Sequence, residues 1–330
     1  MLATLYAAIA RRRREWYAAR PHARRRLRRP VISIGNIAAG GRGKTPFTAT
    51  VARLLLEMGE TPAILSRGYA RTDPVDGAVV VRDAQGIRAD LARSGDEPLM
   101  LARQLDGAIV MAGADRYISG RLAEHHLGAT VHLLDDGFQH FALDRDVDIV
   151  LVSARDLAGA RTLPAGPLRE PPDVLIAADA IVCLDAEATI DIPDVPVFRA
   201  TRSTGLVVFD ETGPASPAAG AAVIAVAGIA NPAQFFEAVT RAGWQVAATR
   251  TFRDHHPFTR EDLTRIASDV ASTNAAAVLT TEKDYVRLLP HRPFPVAVGW
   301  LPLTISPEPA GEFRRWLAVA IGAARDIVIG

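Results

Sequence analysis

Residues 33–46 read Ser-Ile-Gly-Asn-Ile-Ala-Ala-Gly-Gly-Arg-Gly-Lys-Thr-Pro, on the end of a β-branched run, Val31–Ile34. Behind them, Phe47, Val51, Leu54 and Leu55 recur on one helical face. Strand, glycine loop and helix in that order make a seat for phosphate. Main-chain N–H groups turn inward and the helix N-terminus adds its dipole. The strict spacing Gly-x4-Gly-Lys-Thr would need glycine at Ala38, so the variant Gly-Gly-x-Gly-Lys-Thr over Gly40–Thr45 stands instead. The expected nucleotide contacts are Ala38, Ala39, Gly40, Gly41, Arg42, Gly43, Lys44 and Thr45. Lys44 is placed at the terminal phosphates and the Thr45 hydroxyl on Mg²⁺. A plain strand-to-helix turn would need the glycines but neither Lys44 nor Thr45.

Four further stretches carry acids or imidazoles. Leu133-Leu134-Asp135-Asp136-Gly137-Phe138-Gln139-His140 puts two adjacent carboxylates at the end of an apolar strand, where they can hold Mg²⁺ or its waters. Without a cation the two would repel. Ser94-Gly95-Asp96-Glu97-Pro98 taken alone is an ordinary turn with capping acids. In Phe252-Arg253-Asp254-His255-His256-Pro257 the adjacent imidazoles point apart and make no ready metal pair. Thr280-Thr281-Glu282-Lys283-Asp284 has Lys and Asp adjacent, which is the wrong spacing for a guanine-reading motif.

Of 38 basic residues only Lys44 and Lys283 are lysine. Arginine substitutes wherever a solvated charge suffices, so these two mark places that need a compact ammonium. The 330 residues carry a net charge of +1, and 49% are hydrophobic. That is globular composition for about two domains. A single cysteine, Cys183, excludes an internal disulfide and a multi-cysteine zinc site, and makes a reducing compartment the default. Residues 1–30 hold ten Arg and one Glu, a net of +9, so the other 300 carry −8.

Positions that must hold these groups follow from periodicity. Strands are expected at Pro62–Leu65, Ala108–Ala112, Thr130–Leu134 and Val147–Val152, with a helix from Ala114 to His125. The alternation indicates an α/β fold, a parallel sheet covered by helices. After Ile181–Leu184, residues 185–220 lack periodicity and take the domain junction. A second, smaller α/β unit follows, with strands at Ala222–Ala227, Gln245–Thr249, Ala276–Leu279 and Val296–Val298. Helices are expected at Pro232–Ala242 and Arg260–Ala271, and a last one at about Glu308 to Ala324. The expected boundaries are 1–29, a basic segment; 30–200, the first domain; 201–220, a linker; 221–303, the smaller domain; and 304–330, a C-terminal helix, its return to the first domain left open. The apolar run at the N-terminus is about ten residues, short of the ~20 that span a bilayer, and its charge follows rather than precedes it. Two readings of residues 1–29 stand level: an interfacial helix on anionic lipid, and a helix packed on the domain with a solvated Arg face. A nucleic-acid arm is the weaker third, given the acidic body.

These residues resemble the tetraacyldisaccharide 4′-kinases (lipid A 4′-kinases) along most of the chain. The matching stretches include Ser33–Asn36, Gly40–Pro46, Leu65-Ser-Arg-Gly-Tyr69, Gly95–Pro98 and Leu134–His140. They continue through Leu163-Pro-Ala-Gly-Pro-Leu-Arg-Glu170, Ala227-Gly-Ile-Ala-Asn-Pro232, Phe252–His255 and Thr281–Asp284. Ala230 stands where the family often has Gly, and Ala70 follows the Arg-Gly-Tyr. The resemblance implies a P-loop NTPase-type domain, a smaller α/β/α domain joined by a short strand linker, and a short N-terminal interfacial helix. It implies ATP- and Mg²⁺-dependent phosphorylation of the 4′-hydroxyl of a tetraacylated glucosamine disaccharide 1-phosphate, giving lipid IVA. It places the enzyme peripherally on the cytoplasmic face of the bacterial inner membrane, against an anionic surface, with no nucleic acid and no obligate protein partner. On matching positions it implies Asp96 as the base for the hydroxyl, supported by His255 from the other domain, a pair formed on closure that also excludes water. Thr45, Glu97, Asp135 and Asp136 are then the Mg²⁺ residues, and Asn36, Tyr69, Arg116, His140, Arg169, Glu170 and Lys283 the substrate contacts. The rival is a membrane-associated P-loop ATPase switch or positioning protein. Its loop normally carries an extra lysine where this chain has Ala39.

Overall fold

In the computed structural model, residues 2–158, 161–185 and 190–329 are described. Met1 and Gly330, the ends of the expected first and last segments, lie outside them. Two sheets organise the chain. The larger has ten strands, and seven of them run parallel in the spatial order Val197–Thr204, Ala180–Cys183, Val147–Val152, Val31–Asn36, Val131–Asp135, Pro62–Ser66 and Ile109–Gly113. The first strand in sequence sits mid-sheet, with later strands on both sides. Chain connections diverge there, and the crevice beyond the strand ends is where such sheets bind ligands. Central strands are apolar almost throughout because helices cover both faces. Ile32, Ile34, Ile64 and Leu133 pack with Phe47, Val51 and Leu55 on one side, while Leu65, Met111 and Leu134 meet Ala123 on the other.

The register sets the site. Ser33 lies beside Leu134 and Ile34 beside Asp135, so the strand that feeds the glycine loop runs against the strand that ends in acids. Two glycines make this approach close enough. A Cβ on Gly35 would stand 2.4 Å from Phe138 Cβ, and one on Gly137 would stand 2.7 Å from Ser33 Oγ.

Several elements depart from the sequence reading. Strand Ala78–Asp83 and Gly86–Ile87 form an antiparallel edge hairpin that was not expected. Asp96–Gln104 is a helix, not a turn, and Glu282–Leu288 is another. The interval 201–220 is not a bare linker. Strand Val197–Thr204 crosses the expected boundary at 200, and Val208–Phe209 pairs with Val298–Leu301 in the smaller sheet. Leu303–Glu308 then returns antiparallel against Val197–Thr204, giving a two-stranded ribbon whose halves are about 100 residues apart in sequence. Neither half shows strong alternation: Leu303–Glu308, at the sheet edge, takes its main-chain partners from Val197–Thr204, which pairs on its other side with Ala180–Cys183. The chain's last helix, Ala310–Ile329, seats Phe313, Leu317 and Ile321 in the core of the first unit beside Phe47.

The smaller sheet has five strands, four of them parallel. Helix Pro232–Arg241 packs on one face through Phe235 and Val239. Helix Arg260–Thr273 covers the other through Ile266.

The N-terminal helix, Leu2–Ala18, lies on the first unit. Arg14 Nε and Nη2 make two bonds to the Glu170 carboxylate, at 2.9 and 2.8 Å, and its guanidinium rests over Phe138 and Phe141. Arg11 pairs with Asp173. Further on, Arg24, Arg25 and Arg26 pair with Asp144, Asp115 and Asp146. Half of the segment's ten arginines therefore answer the body's own negative charge. On the opposite face Leu2, Leu5, Ile9 and Trp16 fall within one narrow arc and are exposed. Among the described residues no helix is long and apolar enough to cross a membrane.

Gly35→Ala forces a methyl into Phe138. It should destabilise the chain by about 1–3 kcal/mol, the usual cost of overpacking, read as a lower midpoint in urea at unchanged slope.

Candidate active site

A cleft of about 1110 Å³ opens between the two units at the carboxyl end of the large sheet. A single small-molecule pocket spans about 300–1,000 Å³, so this one has room for more than one ligand.

The floor is the glycine loop. Gly40 through Thr45 line the cleft. Gly43 caps the helix Lys44–Glu57 at φ +76°, a left-handed conformation that suits glycine. Ile305 from the returning ribbon presses on it so closely that a Cβ there would collide with the isoleucine side chain. Lys44 Nζ donates to Asn36 Oδ1 at 3.2 Å and lies 3.5 Å from Asp136 Oδ1. Thr45 Oγ1 donates to Asp135 Oδ2 at 3.1 Å, and Thr48 Oγ1 to Oδ1 at 3.0 Å. Arg42 turns away to pair with the buried Asp156.

The acids behave differently. Burial, with the Glu97 and Asp136 carboxylates beside it, pushes Asp135 up to about 7. Burial would raise Asp136 too, but Lys44 and Arg169 hold it below the usual carboxylate range. Arg169 Nη1 reaches both Asp136 oxygens at 2.9 Å. Asp135 is therefore the strained anion, short of positive charge. Among the described residues no group of three or more His, Cys, Asp or Glu is placed to hold a metal by itself.

Across the cleft stands a second array. His255 Nδ1 is 2.9 Å from Asp96 Oδ2, and His255 Nε2 is 3.1 Å from Lys283 Nζ. Lys283 also donates to Glu97 Oε1 at 3.1 Å and lies 3.7 Å from Asp254. Asp96 begins a helix of the first unit, whereas His255 and Lys283 belong to the second, so the pair bridges the units. Burial favours a neutral Asp96, yet the His255 hydrogen bond and the charges of Lys283 and Arg287 keep it below the usual range. Burial likewise opposes a charged Lys283, and Glu97, Asp96 and Asp254 outweigh it. Tyr69 packs edge-on against the His255 ring.

At a third corner, Arg116, His140 and Arg169 line the cleft with Arg13 and Arg67. Burial, reinforced by Arg67, lowers Arg116 to about 10. Burial and the charges of Arg116 and Arg145 lower His140 to about 4, which leaves it a neutral imidazole at physiological pH. Its Nε2 is buried without a partner. Arginines gathered with so few acids suit an anionic ligand.

Five of the expected site residues do not line the cleft. Asn36 is fully buried and holds Lys44 instead. The Ala39 N–H is spent on Pro167 O, and Ala38 pairs with Leu168, so Gly40 is the first loop residue that lines the cleft. The Glu170 carboxylate is taken by Arg14, from the N-terminal helix, and by Gln139. Asp96 is only 2% exposed and meets the cleft through His255. Conversely, Arg13, Arg67, Arg202, Gln234, Arg241 and Asp254 line it without having been expected. Asp254 lies within a stretch already quoted, next to His255. Arg202, on the ribbon, offers no local signal among so many arginines.

The family described as tetraacyldisaccharide-1-P 4′-kinase (LpxK) matches residues 1–321. A tetraacyldisaccharide 4′-kinase of Geobacter metallireducens is 39% identical over 88% of each chain. One from Rhodopseudomonas palustris strain BisA53 is 38% identical over 98% of this chain and 92% of its own. A solved structure, "apo" form LpxK from Aquifex aeolicus in complex with ATP, superposes with a TM-score of 0.80 at 31% identity, covering 97% of both chains. With its phosphate loop, neighbouring acids and bridging Asp96–His255 pair in one cleft, the chain belongs to the tetraacyldisaccharide-1-P 4′-kinase family and is a kinase of lipid A biosynthesis.

Proposed function

We propose that this chain transfers the γ-phosphoryl group of ATP to the 4′-hydroxyl of a tetraacylated glucosamine disaccharide 1-phosphate, giving lipid IVA. One observation carries the site assignment: the Gly40–Thr45 loop and the Asp96–His255–Lys283 array face a single cleft from its two walls. A switch ATPase would have no use for a proton acceptor built from both units.

Phosphoryl transfer needs mainly positioning and charge neutralisation. In this reading the loop amides and Lys44 hold the triphosphate. Mg²⁺ fits the donor set of Thr45, Asp135, Asp136 and Glu97. These are hard oxygens in a site too sparse to enclose a metal alone, which is how Mg²⁺ is held when phosphates and waters complete its shell. When bound it would neutralise charge on the phosphoryl oxygens and relieve Asp135. The acceptor hydroxyl gives its proton to the Asp96–His255 pair, with Asp96 as the base met from the cleft through His255, as its oxygen bonds to the γ-phosphorus and the β–γ bridging oxygen departs with ADP. Lys283 steadies Glu97 and the imidazole. The corner of Arg116, His140 and Arg169, with Tyr69 at the rim, receives the sugar and its 1-phosphate.

The stripe of Leu2, Leu5, Ile9 and Trp16 supports peripheral attachment to the cytoplasmic face of the inner membrane, with exposed arginines beside it, such as Arg12, toward anionic lipid. No nucleic-acid contact and no obligate protein partner belong to this reading.

Lys44→Ala and Asp96→Asn should each lower kcat by about 10²–10⁴, with melting temperatures near wild type, in an assay with labelled ATP and the lipid acceptor. Near-normal turnover in Asp96→Asn would remove the base assignment. His255→Ala should depress kcat well beyond any change in the KM for ATP; a collapse of ATP affinity would make it a nucleotide contact instead. Replacing Leu2, Leu5 and Ile9 together by Ser should weaken binding to anionic vesicles by about tenfold or more, and unchanged binding would place the anchor elsewhere.

A further inference from the structure

Asp96 and His255 belong to different units, so their 2.9 Å contact depends on whatever registers one against the other. Arg287 occupies that place. It lies on the helix Glu282–Leu288, one turn beyond Lys283, and is 5% exposed. Its Nε is 3.3 Å from Asp96 Oδ2, the oxygen that also meets His255. Its Nη2 donates to Gly228 O at 3.0 Å and lies 3.2 Å from Asp284 Oδ1. Its Nη1 donates to His256 O at 3.5 Å.

One planar group thus touches the first turn of the Asp96 helix, the loop after strand Ala222–Ala227 and the residue beside His255. The seat is tight. A Cβ on Gly228 would stand 2.9 Å from Asp284 Oδ1 and 3.3 Å from Arg287 Nη1. The two cations of this helix divide the work. Lys283 lines the cleft, while Arg287 does not and lies behind the pair. It acts on the cleft only through the residues it holds, Asp96 among them. A lysine could not reach Asp96 and Gly228 O together, because its ammonium is a single point rather than a fork.

We propose that Arg287 is the positioning residue of the proton-accepting pair, holding Asp96 Oδ2 toward His255 Nδ1 and fixing the main chain that carries the imidazole. This rests on Asp96 being the base.

A double-mutant cycle on the full chain tests it, using labelled ATP and the lipid acceptor. Arg287→Met should lower kcat about 100-fold, with the KM for ATP changed less than about threefold. In an Asp96→Asn background the same substitution should cost less than about threefold, because the partner through which it acts is already gone. Equal losses in both backgrounds, or a rise in the KM for ATP that accounts for the loss, would overturn the proposal. Should Arg287→Met fail to melt cooperatively, Arg287→Lys carries the same cycle. It keeps a charge against Asp284 but drops the fork, and a loss confined to the wild-type background is again expected. Full turnover in Arg287→Lys, or an equal loss in both backgrounds, would overturn the proposal. Asp96→Asn by itself reports separately on the base. Near-normal turnover there removes the base and this proposal with it, whereas a large loss with an additive Arg287 effect removes only the latter.

Discussion

Anions buried next to one another have to be neutralised where they stand, and the cleft is organised by that requirement. Asp96 and Asp135 are drawn out of water, and Asp136, half-buried, follows Asp135 directly at the end of its strand. Leaving such charges unpaired would cost several kcal/mol each. Asp136 is answered by Lys44 and Arg169, Asp96 by His255, Lys283 and Arg287. Asp135 receives two threonine hydroxyls and only the more distant charge of Lys44, and its proton affinity rises accordingly. The one carboxylate left short of cations is the one beside the phosphate loop's threonine, where a bound divalent ion would supply what is missing.

The same requirement joins the two units. Three of the groups that answer Asp96 come from the smaller one, so the charge balance of the first unit is completed only when the second is in place. The ribbon of Val197–Thr204 and Leu303–Glu308 makes that reproducible, because the chain leaves and re-enters through adjacent, hydrogen-bonded strands. The last helix, seated beside Phe47, ties the return path into the same core that supports the phosphate-loop helix. The N-terminal segment follows a related logic. About half of its charge excess is an internal matter, since Arg11, Arg14, Arg24, Arg25 and Arg26 answer carboxylates of the body. What remains outward is an apolar stripe with a few arginines, a smaller basic surface than a net of +9 suggests.

Much of the chemistry was legible in order of residues because its geometry is local. The phosphate loop is a contiguous turn between a strand and a helix, so its glycines, Lys44 and Thr45 announce it. Scarcity made the lysines informative: both line the cleft, in a chain that otherwise uses arginine. Arg287 gave no such signal, being one of 36 arginines, and its partners are scattered from Asp96 to Asp284. Asn36 and Glu170 show the reverse. Both lie in stretches that mark the family, yet one holds a lysine and the other a helix, and neither reaches the cleft.

Sequence by itself determined the elements whose hydrophobic period is complete within one segment, the parallel order of the two α/β units and the phosphate seat. It also determined which residue types were available for acid–base work. Tertiary structure alone decided that Asp96 meets His255, that strands about 100 residues apart close into one ribbon and that the acids have unequal proton affinities. The reason is range. Backbone propensity and side-chain periodicity act over a few residues and are written in neighbours, whereas desolvation and ion pairing depend on distances that exist only after the chain has folded.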